Sequence, residues 1–366
     1  MIPFLDLQKV NTPYTDSFKK RFDDFLQDGT FILGKTVTQF ELEFAEYCNT
    51  SECIGTGTGF DSLRLIFEGL KLQKKLNNGD SVIVAANSYI ATVLAILQAG
   101  LKPVFVEVEE QFFNIDLQKI VVAGASVKAV LITHLYGQLE AVEAISTYAK
   151  KYNLLLIEDA SQAHGAHLKG QKAGSFGVAA AFSCYPTKNL GALGDAGLIT
   201  TSDATLAEII KKLRNYGRSS SYENEYAGFN SRLDPLQAIF LSEKLNDLDA
   251  QNTQRRSIAA RYAAEINNEH IKLPLWDLSE NHVFYVYVIR VKNRSHFLMY
   301  LESCEVGFAL HYPIPPYRQA ALKDYNSLSF PITETLANES VSIPLNTTLT
   351  ESEITIIIAV LNAYNA

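Results

Sequence analysis

Leu154-Leu-Leu-Ile-Glu158-Asp159-Ala-Ser-Gln162 and, a few turns later, Ala179-Ala-Ala-Phe-Ser-Cys-Tyr-Pro-Thr-Lys188-Asn-Leu-Gly-Ala-Leu-Gly-Asp195 decide how this chain is read. Each opens with a short, unbroken apolar run. Such a run fits a strand covered on both faces, as in a parallel sheet. The first run stops in two carboxylates. The second passes through a small-residue segment to a lysine and a glycine-rich turn. In open α/β sheets, ligands bind in the crevice beyond the carboxyl ends of the strands. Asp159 and Lys188 therefore head for the same place.

The same texture extends outward. Val82–Ala86, Val104–Val108, Ala129–Thr133, Leu154–Ile157, Ala179–Ser183 and Leu198–Thr201 read as strands. Between them lie amphipathic repeats: Leu63, Ile66, Phe67 and Leu70, and Leu206, Ile209, Ile210 and Leu213, each at i, i+3, i+4, i+7. Alternating strands and helices predict a mostly parallel α/β sheet. After Asn230 the pattern changes. Ser242–Ile266 reads as a long linking helix or a pair of helices. Val283–Val291 has strand character, and a capping box, Thr350-x-x-Glu353, opens the last helix. The expected division is a large domain over 1–244 and a smaller α+β domain over 245–366.

Composition excludes several classes. The chain has 366 residues and a net charge of −8, which argues against a sequence-independent nucleic-acid binder, since that needs a basic face. Met1-Ile-Pro-Phe-Leu-Asp-Leu lacks the basic and apolar regions of a secretory signal. The apolar stretches Val82–Gln98 and Ile354–Leu361 read as core, not as membrane spans. Cys48, Cys53, Cys184 and Cys304 form no CxxC pair, so they read as structural thiols in a reducing cytoplasm, with no metal site expected.

An Asp and a Lys at adjoining strand ends match the needs of pyridoxal 5'-phosphate (PLP) chemistry. The amine makes a Schiff base with the cofactor aldehyde, and the carboxylate keeps the pyridine nitrogen protonated. A buried Asp159 needs a cationic partner, which is either that ring nitrogen or an Arg or Lys of the protein. Gly55-Thr-Gly-Thr-Gly59-Phe60-Asp61 precedes a helix and reads as a phosphate cradle or a plain turn. Its spacing is not that of the dinucleotide fingerprint, which argues against a nicotinamide dehydrogenase. Tyr89, just past a strand, is a candidate to stack on a flat ring or a core aromatic. Gln162 is a candidate donor to a ring oxygen, and Ser183 a candidate phosphate ligand. The loop Gly228-Phe-Asn230-Ser-Arg-Leu-Asp234 reads as an interface segment whose spacing alone assigns no chemistry.

In this order the motifs resemble the DegT/DnrJ/EryC1/StrS family of PLP-dependent sugar aminotransferases. The likeness runs from Ile2-Pro-Phe-Leu-Asp-Leu through Phe31-Ile-Leu-Gly34, Glu158-Asp-Ala-Ser-Gln-Ala-His-Gly165, Gly174-Ser-Phe-Gly177 and Phe182–Leu190 to the C-terminal helix. The resemblance implies the aspartate aminotransferase-like fold (PLP fold type I), with a seven-stranded, mostly parallel sheet in the large domain. It also implies a homodimer with shared active sites. Lys188 would bond the cofactor, Asp159 pair with its ring nitrogen, Gln162 contact its hydroxyl and Tyr89 stack on it. Ser183 and the backbone of Gly59 and Phe60 would hold its phosphate, reached by Asn230 from the other subunit.

A dehydrating branch of the family carries histidine at the lysine position, so Lys188 favours transamination. A PLP-binding regulator would need a DNA-binding module, for which no spare basic segment exists. Tyr185–Gly197, Asn230–Asp234 and His311-Tyr-Pro-Ile-Pro-Pro316 resemble enzymes that aminate dTDP-3-keto-6-deoxyhexoses for surface polysaccharide or secondary metabolites. The nearest rival is the same reaction at C4. L-Glutamate is the implied donor, with pyridoxamine 5'-phosphate the cofactor form during turnover. Tyr185, His311 and Tyr312 are candidates for touching the sugar. Two departures stand out. Thr58 replaces the more usual Asn or Ser, and Arg218-Ser-Ser-Ser221 replaces a stretch that often holds a lysine near Tyr222.

Overall fold

The computed structural model describes residues 1–120 and 127–365. Its strands are β1 (Glu52–Thr56), β2 (Ser81–Ala85), β3 (Lys102–Val106), β4 (Val127–Thr133), β5 (Leu155–Asp159), a small hairpin of β6 (His167–Leu168) and β7 (Gln171–Lys172), β8 (Ala179–Ser183), β9 (Gly197–Thr201), β10 (Tyr287–Arg290) and β11 (Ser340–Ile343). Among the described residues, seven form one sheet in the order β1-β9-β8-β5-β4-β2-β3. Only β9 runs against the others, pairing antiparallel with both β1 and β8. The fold is α/β, as the strand-helix alternation predicts. Six expected strands are present with ends shifted by a few residues. Gly55, expected in a turn, instead lies within β1, and the turn starts at Gly57.

The helices follow from local chemistry. Gly59–Leu72 starts at Thr58, whose side chain accepts from the Asp61 N–H. This satisfies one of the helix's orphan donors. Its predicted stripe, Leu63, Ile66, Phe67 and Leu70, is buried in one core cluster with β1, β2 and β8 residues. Asp203 caps Ala204–Leu213 in the same way, and Leu206, Ile210 and Leu213 reach that cluster while Ile209 is partly buried. Burying one such Leu or Ile side chain is worth roughly 1.5–3 kcal/mol.

Ser242–Ile266 resolves into a pair of helices, Pro235–Leu245 and Leu248–Glu265. The expected strand Val283–Val291 shortens to β10, which pairs with β11. The capping box at Thr350 and Glu353 is formed on both sides. Residues from Ile258 to Tyr364 share a hydrophobic cluster, and Ile2 joins it. The N-terminal segment thus packs with the C-terminal part of the chain. No helix among the described residues is long and apolar enough to cross a membrane. All four cysteines are free thiols, with Cys48, Cys53 and Cys184 buried.

Candidate active site

A cavity of about 350 Å3 opens at the carboxyl ends of the parallel strands. Its size suits a small cofactor. Gly59, Phe60, Tyr89, Asp159, Gln162, Ser183, Tyr185, Lys188, His311 and Tyr312 all line it. Residues far apart in the sequence are thereby brought to one place. Of the sequence-predicted residues only Asn230 is absent from this cavity. It is exposed and bridges to Asn215 on the surface. Its neighbour Ser231 is buried, accepts from the Gly57 N–H at 3.1 Å and donates to Asp61 Oδ2 at 2.7 Å. The loop is therefore tied to the glycine turn. Arg218–Ser221 lies exposed and outside the cavity.

Asp159 ends β5 and is buried. Its Oδ2 accepts from the Thr92 hydroxyl at 2.7 Å and its Oδ1 from the Ser161 N–H at 3.2 Å. No Arg, Lys or His among the described residues makes an ion pair with it. Of the two partners expected from sequence, the protein cation is missing. The strand register places Thr133 beside it, and the Thr133 hydroxyl is buried, lines the cavity and has no hydrogen-bond partner. A buried carboxylate without a cation and an orphaned hydroxyl both point to a ligand that supplies what the protein does not.

The opposite wall suits a phosphate. Gly59 and Phe60 are the first two residues of their helix, so their N–H groups have no intrahelical partner. A Cβ on Gly59 would lie 2.6 Å from the Ser183 Cβ. Only glycine lets the helix start approach the end of β8 this closely. The result is a helix start with a partial positive charge, an arrangement suited to an anion. Thr58 keeps its hydroxyl as the helix cap.

Lys188 sits in the loop after β8, with its N–H bonded to the Tyr185 carbonyl. Its Nζ lies 4.2 Å from the centre of the Tyr285 ring. Tyr285 lines the cavity and shares a 3.2 Å hydrogen bond with the Thr187 hydroxyl. Sequence reading missed Tyr285 because it comes from a segment read as strand, far along the chain from Lys188. Gln162 receives the Tyr136 N–H on Oε1 and donates to the Tyr312 hydroxyl at 3.3 Å. Tyr89 and Tyr312 face one another with ring centres 4.7 Å apart.

His311 is held at Nδ1 by Ser342 at 2.8 Å, and its carbonyl accepts from the Tyr136 hydroxyl. Burial, and then the charge of Lys188, push His311 down to about 4, so it is neutral at physiological pH. Burial, reinforced by Tyr285, Tyr136, Tyr89 and Asp159, holds the Tyr312 phenol well above its ordinary range. His311 and Tyr312 are thus uncharged hydrogen-bonding groups. Tyr185 is half exposed at the rim.

Comparison with known proteins agrees with this geometry. Residues 14–362 match the model of the DegT/DnrJ/EryC1/StrS aminotransferase family. The chain is 46% identical over 365 residues to a dTDP-3-amino-3,6-dideoxy-alpha-D-galactopyranose transaminase of Aneurinibacillus thermoaerophilus, covering 100% of this chain and 99% of that one. S. venezuelae DesV, solved with a ketimine intermediate, superposes with a TM-score of 0.94 at 34% identity, covering 99% and 97% of the two chains. Bacillus subtilis NtdA, solved with bound cofactor PMP, superposes at 0.89 with 30% identity, covering 98% and 84%. The fold is that of the PLP aminotransferases, the residues present fit that cofactor, and the chain belongs to the DegT/DnrJ/EryC1/StrS aminotransferase family.

Proposed function

We propose that this enzyme moves an amino group from L-glutamate to a dTDP-linked 3-keto-6-deoxyhexose, giving a dTDP-3-amino-3,6-dideoxyhexose. The observation that carries the reading is the end-to-end 46% identity with the A. thermoaerophilus transaminase. The hydroxyls of Tyr185 and Tyr312 and the imidazole of His311 around the cavity are suited to hydroxyl groups of a sugar.

When bound, PLP supplies an aldehyde that condenses with amines and a protonated ring that draws electrons from the adjacent carbon. The chain's own groups do the rest. Lys188 takes a proton from the glutamate α-carbon in the first half-reaction and protonates C3 of the sugar in the second. Asp159 keeps the ring nitrogen protonated. Gly59, Phe60 and Ser183 receive the phosphate, Gln162 meets the ring hydroxyl, and Tyr89 covers a ring face. Asn230, exposed beside the glycine turn, reaches the phosphate of a second copy in a homodimer. Exposed Phe31, Ile32 and Leu193 support a chain that is covered by another. The site of action is the cytoplasm, in a pathway to surface polysaccharide or a secondary metabolite.

The test is to incubate purified enzyme and L-glutamate with 3-keto and 4-keto dTDP-6-deoxyhexoses, and to locate the new nitrogen by NMR. An amine on C3 is expected. An amine on C4, formed at comparable efficiency, moves the assignment to the C4 reaction and leaves the chemistry of Lys188 in place.

A further inference from the structure

We infer that Thr92 is a positioning residue that fixes the Asp159 carboxylate for the cofactor ring nitrogen. The inference rests on reading Asp159 as that nitrogen's partner. Thr92 lies in the first turn of the helix Ile90–Gln98, directly after Tyr89, and is buried. Threonines within helices commonly turn the hydroxyl back to the carbonyl four residues earlier. Thr147, Thr253, Thr335 and Thr355 of this chain do so. Thr92 does not. Its hydroxyl donates at 2.7 Å to Asp159, 67 positions away.

The other carboxylate oxygen is held by the Ser161 N–H. Among the described residues each oxygen therefore has one donor, from a different part of the fold. Together they stop the carboxylate from rotating about its Cβ–Cγ bond. Lone pairs remain on each oxygen for a ring N–H arriving from the cavity. The Ser161 N–H belongs to the backbone, so Thr92 is the one side chain in this clamp. A carboxylate held by a single donor would spend part of its time turned away from the ring.

The test is a double-mutant cycle in the full-length enzyme. Thr92→Val keeps the β-branched shape and removes the donor. Thr92→Ser keeps the donor. Two properties are read: the dissociation constant of pyridoxal phosphate, and the pH midpoint of its visible absorbance band on the protein. Thr92→Val should weaken cofactor binding about tenfold, as losing a hydrogen bond to a charged group does, and displace the pH midpoint. Thr92→Ser should restore both. In an Asp159→Asn background, Thr92→Val should add nothing, because its effect passes through the carboxylate. If Thr92→Val does not fold, Thr92→Ala closes the same cycle.

Wild-type binding and absorbance in Thr92→Val would overturn the inference, as would a Thr92→Val effect that is undiminished in the Asp159→Asn background. A strong effect of Asp159→Asn with a silent Thr92→Val removes Thr92 alone. A silent Asp159→Asn removes both this inference and the reading of Asp159.

Discussion

Glu158 and Asp159 are adjacent carboxylates at the end of β5, and strand alternation turns them to opposite faces of the sheet. Behind the sheet, Glu158 is fully buried and completely provided for. It pairs with His134 at 3.0 Å and accepts backbone N–H groups from Gly174, Phe176 and Gly177 at 2.7–2.8 Å. His134 Nδ1 accepts from the Glu140 N–H, so its Nε2 carries the proton toward Glu158. In front, Asp159 has two donors and no cation among the described residues. One carboxylate pins the loop 174–177 to the strand. The other is left one partner short inside a cavity. The lesson is that burial alone does not mark a functional carboxylate; an unfilled requirement does.

Glu140 is a third case. It is buried with the Ile115 and Ala141 N–H groups but, among the described residues, no cation. Burial pushes it up to about 8, the two N–H groups only partly opposing this, and Glu109 adds to the rise. It meets the same shortage by staying protonated.

The comparison breaks most visibly at Lys188, which lines the same cavity as Asp159. Lys188→Ala should cut turnover by about ten-thousandfold. Borohydride reduction of the wild-type protein should fix the cofactor to the Lys188 peptide, and label on any other lysine would move the site.

The two carboxylates themselves should then separate. Asp159→Asn should lower turnover by roughly a thousandfold with little change in thermal stability. Glu158→Gln should do the reverse. It forces an NH2 group against backbone N–H donors and costs about 3 kcal/mol of stability, seen in a denaturant melt, while the folded fraction keeps its rate. Equal loss of rate in both variants would end the distinction between the two faces.

A smaller effect tests whether the cavity is completed by a second copy. Mixing inactive Lys188→Ala and Asn230→Ala subunits should restore part of the activity, because a mixed dimer can gather both defects in one site. No recovery after proven subunit exchange would assign Asn230 to its own chain's surface.

The last effect concerns pH. The Glu140 carboxyl titrates near 4.5 when unfolded and near 8 when folded. Its contribution to stability is therefore full below pH 4.5 and is lost as pH rises through 8. Glu140→Gln should gain stability relative to wild type across that window. Buried His164, His282 and His311, all lowered chiefly by burial, act the other way. They bind protons more readily when unfolded, so stability should fall on acidification from about pH 6.5 to 4. A pH-independent difference between Glu140→Gln and wild type would mean that Glu140 is ionised in the fold.

Much of this site was legible in the sequence. Asp159 follows an apolar strand and Lys188 precedes a glycine turn, and those local patterns put both at the crevice of a parallel sheet. Strand ends were less legible: β3 begins at Lys102, two residues before its apolar run, because backbone pairing with β2 extends past the residues that need burial. The roles of Tyr285 and Thr133 gave no local signal at all.

What the sequence by itself determined is the alternation of strands and helices, the face on which each apolar stripe is buried, and the convergence of Asp159 and Lys188 on one crevice. These follow from periodicity and from the cost of burying charge, both of which act within a few residues. Only the tertiary structure decided that Thr92 donates to Asp159, that Tyr285 lies beneath the Lys188 amine, and that no cation among the described residues pairs with the Asp159 carboxylate. Hydrogen bonds and ring contacts form within a few ångströms, and which distant loops come that close is set by the order of strands in the sheet.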